Sequence, residues 1–88
     1  MNSSLILKLY PVKEGKLFAP SQVELENFEV KQLRICGIIS YVNWGKYCVT
    51  DKGKRIIKEL EDIVTNKGND ALIKRLKELS EELQPIYE

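Results

Sequence analysis

No histidine occurs in the 88 residues, which removes the side chain most often used for proton transfer near neutral pH. Cysteine is nearly as scarce. Cys36 and Cys48 stand twelve apart, with no second pair to complete a zinc set. Glycine occurs singly at Gly15, Gly37, Gly45, Gly53 and Gly68, so no glycine-rich phosphate loop is present. Long apolar runs are missing too. Leu5-Ile6-Leu7 is broken at once by Lys8 and reads neither as a signal peptide nor as a membrane anchor. Together these absences leave no reactive constellation. The chain is expected to be no enzyme, to need no metal or cofactor, to avoid membranes and to stay in the cytoplasm. Both cysteines are expected to act as small buried or half-buried hydrophobes, with a disulfide left open.

Neither charge sign dominates, since the formal net charge is only +1. The charges are nevertheless sorted along the chain. Residues 41–58 carry Lys46, Lys52, Lys54, Arg55 and Lys58 against Asp51 alone, a net +4, whereas residues 59–88 carry a net −4. This order points to a polar molecule with one end suited to phosphate. The length allows one compact domain, and a chain this short buries only about 60–65% of its unfolded surface, so a dimer interface would add useful burial.

The plainest element is a helix over about 51–66. Thr50 serves as its N-cap, Asp51 sits in its first turn and Gly68 lies where it stops. Ile56, Ile57, Leu60, Ile63 and Val64 form its buried stripe, with Arg55/Glu59 and Lys58/Asp62 four apart on the wet side. Before it, residues 38–42 and 46–50 are β-rich runs around Asn43-Trp44-Gly45, which predicts a hairpin. Upstream, Ser21 can cap helical structure that Gly37 ends near Cys36. Its apolar positions fit either one helix buried on two sides or a short helix followed by a second from about Asn27. Residues 3–10 fit a strand or a helix, with helix favoured and Pro11 or the loop 13–15 closing it. The last helix runs from Asp70, as N-cap, to Gln84. Leu72, Leu76, Leu79 and Leu83 follow a coiled-coil seam on it, which suits either a dimer partner or the chain's own core.

The stretch Leu33, Gly37-Ile38-Ile39, hairpin, then Tyr47-x-Val49-Thr50-x-x-Gly53-Lys54 opening a helix resembles the winged-helix transcription regulators of bacteria and archaea, including PadR-like and MarR-like proteins. The resemblance covers roughly residues 30–60. It implies a mostly helical α+β fold with a two-stranded wing over residues 1–68 and a C-terminal dimerisation helix over 69–88. It implies double-stranded DNA as partner, a helix in the major groove with the wing beside it, and a homodimer. The expected DNA-binding residues are Lys31, Gln32 and Arg34 on the recognition helix. Asn43, Trp44 and Lys46 join them at the wing, and Lys52, Lys54 and Arg55 at the start of the next helix. Trp44 either packs on sugar and phosphate or folds back onto the domain, and folding back is favoured because exposed aromatic area is unfavourable. The dimer seam would be Leu72, Leu76, Leu79 and Leu83. Two features depart from the pattern: residues 20–37 are short for two helices and a turn, and Glu24, Glu26 and Glu29 would repel phosphate. The acidic residues of 21–36 and the near-neutral total charge favour the alternative, a winged-helix module that binds protein without nucleic acid.

Overall fold

The N-terminal segment owes its form to a three-residue apolar period. In the computed structural model, which describes residues 2–83, it is a 3-10 helix over Ser3–Val12, here η1. Side chains three apart eclipse one another in such a helix. Ser3, Ile6, Leu9 and Val12 therefore line one face, and all four are buried, joined by Leu5. Asn2 caps the start, its Oδ1 accepting from Ser4 N at 3.1 Å. Ser3, the one buried polar side chain among the described residues, is satisfied across the fold. Its amide donates to Ser80 Oγ at 3.1 Å and its hydroxyl donates to Leu76 O.

After the turn at residues 13–15, Phe18 forms a single antiparallel bridge with Tyr47 through two backbone bonds of 2.9 and 2.8 Å. A short 3-10 turn follows at Pro20–Val23, here η2, and then helix α1 at Asn27–Ile35. The upstream region is thus two pieces rather than one helix buried on two sides. Glu24 causes the break by adopting a left-handed backbone (φ 57°). α1 ends as the sequence predicts, with Gly37 at φ 78° and Ile38 N donating to Leu33 O at 2.9 Å.

Strands β1 (Ile39–Asn43) and β2 (Lys46–Val49) pair antiparallel with Ile39 opposite Val49 and Tyr41 opposite Tyr47. The register shifts by one between Tyr41 and Asn43, so Val42 is the extra residue of a β-bulge. Thr50 fastens the hairpin to the next helix. Its amide donates to Ile38 O at 2.9 Å and its Oγ1 accepts from Gly53 N at 3.1 Å. That helix, α2, spans Asp51–Lys67 and ends on Gly68. Ile57 and Leu60 are buried and Ile56 half-buried, but Val64 of the expected stripe is exposed.

Helix α3 covers Asn69–Glu82, and Gln84 lies outside the described residues. Its N-cap is Gly68, which corrects the expectation of Asp70; Asp70 instead sits in the first turn. The leucine seam turns inward. Leu79 and Leu83 are 2% and 6% exposed in the same core as Ile6, Leu33 and Ile57, with Leu72 and Leu76 packed against it. No boundary at residue 68 divides that core. The expected dimer seam is used within the chain, because an apolar stripe beside an incomplete core of this size is covered soonest by its own domain. The result is a small α+β fold, mostly helical, with one hairpin, as the coarse expectation had it.

Candidate nucleic-acid interface

Helix periodicity sets Asn27, Lys31 and Arg34 on one side of α1, at positions i, i+4 and i+7. The bridge from Phe18 to Tyr47 brings β2 alongside that face. A cleft results, lined by Pro20, Asn27, Val30, Lys31, Arg34 and Tyr47. Lys31 and Arg34 are exposed there, and among the described residues neither side chain has an ion-pair partner. Gln32 is half-buried on the adjoining face. Asn27 was missed by sequence reasoning, although its spacing from Lys31 and Arg34 carries the signal.

The glutamates around α1 are partly neutralised. Glu29 accepts from Glu26 N at 2.9 Å, a capping contact, and lies 3.5 Å from Lys8 Nζ. Lys8 also donates to Glu24 O at 3.0 Å. Glu24 and Glu26 remain exposed at the start of α1, while the cations occupy its later turns. The helix is therefore acidic at one end and basic at the other.

The hairpin projects beside this cleft. Its reversal is a two-residue turn in which Trp44 (φ 50°) and Gly45 (φ 71°) both have left-handed backbones, the requirement of a type I′ turn. Trp44 is 91% exposed, so it does not fold back as expected. Asn43 is exposed and Lys46, paired with it across the hairpin, is half-buried. Tyr41 and Tyr47 meet edge to face at 5.4 Å, Tyr47 reaches Phe18 at 6.3 Å, and Gly45 N donates to Tyr41 Oη at 3.4 Å. An aromatic ladder thus runs from the core to the tip.

The cations at the start of α2 do not join this face. Lys52 donates to Cys36 O at 3.0 Å and lies over Gly37, closing the end of α1. Lys54 lies over Gly15, 3.9 Å from the Asp51 carboxylate, in a cleft with Lys13, Lys58 and Glu61. Arg55 faces a different groove with Glu59, Asp62 and Lys67. Glu59 is not paired with Arg55 but bonded to Arg75, which also reaches Glu78 and Glu82 at 3.2 and 3.0 Å. Those carboxylates, Glu59 foremost, hold the guanidinium proton still more firmly. Of the nine expected DNA-binding residues, Lys31 and Arg34 share the cleft that Tyr47 closes, Gln32 lies on the adjoining face of α1, and Asn43, Trp44 and Lys46 stand at the hairpin reversal.

Elsewhere, Lys13 bonded to Glu61 has its ammonium pKa raised by that carboxylate. Cys36 and Cys48 are both free thiols. Burial pushes the Cys36 thiol pKa up, disfavouring the thiolate. No group of three or more His, Cys, Asp or Glu that could hold a metal ion occurs among the described residues, and no described helix is long and apolar enough to cross a membrane. No protein-family model, curated protein or solved structure matches the chain.

Proposed function

We propose that the chain is a winged-helix domain that binds duplex DNA through α1 and the hairpin, as a transcription regulator without catalytic activity. The element order supports the reading: η1, a one-bridge strand at Phe18, the short η2, α1, a hairpin and α2. This order accommodates the short segment 20–37 by reducing one helix to a single 3-10 turn. The observation that carries the proposal is the pair Lys31 and Arg34, unpaired and exposed in a cleft against the projecting hairpin. Unpaired cations are free to release counterions from phosphate, and Arg34, Gln32 and Asn27 carry donors suited to base edges.

A mobility-shift titration on duplex DNA over a salt series tests it. Affinity should fall with a log–log slope of about −0.9 per phosphate neutralised. Absence of binding at low salt removes the proposal. The homodimer is part of the same reading, and with Leu79 and Leu83 covered it requires another surface. The groove lined by Leu7, Tyr10, Val64 and Leu72 carries the exposed apolar area for it, and light scattering tests the state.

One observation favours a second reading. Phe28 is 60% exposed on α1, close in sequence to Glu24 and Glu26, which suits a protein partner better than a polyanion. Under that reading Phe28→Ala abolishes partner binding, whereas neutralising Lys31 and Arg34 leaves it intact.

A further inference from the structure

We propose that Trp44 is a stacking wedge for an unpaired base, so that the protein prefers duplex ends, forks or tails to continuous duplex. This rests on the DNA-binding reading and adds the substrate class to it.

The first observation is that Trp44 sits where local stability would not put it. The first position of a type I′ turn favours Asn, Asp or Gly, because a Cβ resists the left-handed backbone. An indole there is both strained (φ 50°) and 91% exposed. Strain and exposure held together point to a role outside the fold.

The backbone of the tip is braced. The Phe18–Tyr47–Tyr41 ladder and the contact of Tyr41 Oη with Gly45 N tie it to the core. The bulge at Val42 re-aims the two residues that follow it. A braced backbone leaves only the rotamers of the indole itself to be ordered when a base stacks on it.

Charge selects the partner. Asn43 and Lys46 flank the indole, and the unpaired Lys31 and Arg34 share a cleft with Tyr47. Tyr47 lies three residues from Trp44 with the reversal between them, so at most about 10 Å separates their backbones. At a rise of about 3.4 Å per base along one strand, that is at most about three base steps. Phosphates held at Lys31 and Arg34 would therefore place the wedge a few steps further along the same strand. Intercalation into continuous duplex would cost unstacking, whereas an unpaired base offers its face without it.

Trp44 is the only tryptophan of the chain, so its fluorescence reports the contact directly. The full chain is titrated with a blunt duplex, the same duplex carrying a short single-stranded fork, and vesicles of phosphatidylserine and phosphatidylcholine. The expected results are quenching by the fork with little change on blunt duplex, and affinity for the fork at least about tenfold higher. Trp44→Asn suits the turn better, so it should raise Tm while abolishing the difference between fork and blunt affinity. Trp44→Phe should keep most of the preference. Equal affinity for both DNAs, or a preference surviving Trp44→Asn, overturns the wedge and leaves DNA binding standing. Failure to bind either DNA removes both. A blue shift on vesicles without quenching by the fork assigns the tip to lipid and overturns the proposal.

Discussion

Gly53 occupies a helical position where alanine is ordinarily the better residue by about 1 kcal/mol. A Cβ built there would stand 2.5 Å from Ile38 O and 2.7 Å from a Val49 methyl, so α2 rests directly on the base of the hairpin. The Thr50-x-x-Gly53 spacing is thus explained twice over: Thr50 caps the helix, and Gly53 lets it approach the strands. Gly53→Ala is expected to destabilise the fold by about 1–3 kcal/mol, reversing the sign that helix propensity alone predicts. Urea unfolding decides it, and a stabilised variant would show that α2 does not lie this close. The cysteines give a second residue-scale test. Half-buried Cys48 should react with a thiol reagent in the folded protein, whereas buried Cys36 should react only on unfolding, as mass mapping would read. Since folding raises the Cys36 pKa above its ordinary 9.0, its contribution to stability is complete below that pH and is lost as pH rises. The alkaline fall in Tm should be smaller in Cys36→Ala.

At the scale of elements, α3 decides between a core helix and a dimerisation arm. Leu79 packs in the core, and Ser3 bonds to Ser80 and Leu76 across the same contact. Leu79→Ala should therefore cost about 2–5 kcal/mol. The loss should be the same at any protein concentration, because the contact lies within one chain; a seam between chains would make the loss itself vary with concentration. The limits of sequence reading are visible here. A heptad-like stripe has one period whichever surface covers it, so its partner could not be read. Thr50, Gly68 and the alternating hairpin strands are local signals, and they marked α2 and the hairpin correctly. The form of η1 lay in the spacing Ser3, Ile6, Leu9, Val12, which is neither a strand nor an α-helix period. The apolar spacing offered a second helix from about Asn27 as one of two alternatives but could not choose it, because Glu24 takes a left-handed backbone that neither glycine nor proline announces.

Across the whole molecule, the question is which cations form one face. The excess of positive charge in residues 41–58 is real along the chain but does not survive folding as a single surface. Neighbouring residues on an α-helix diverge by about 100°. Lys54 and Arg55 therefore cannot share a narrow face, and Lys52 is already committed to the Cys36 carbonyl. Lys54 meets Asp51, and Arg55 shares its groove with Glu59 and Asp62. By contrast, Lys31 and Arg34 stand one turn apart, open to solvent, on the side of α1 that faces the hairpin. Two charge-equal double variants separate these arrangements. Replacing Lys31 and Arg34 by glutamine should flatten the salt dependence of DNA binding by about two units of slope, one for each phosphate left without its cation. The same replacement at Lys54 and Arg55 removes as much net charge and should leave the slope nearly unchanged. Equal reductions from both pairs would mean that DNA responds to overall charge alone, and the face built by α1 and the hairpin would have no special part in binding.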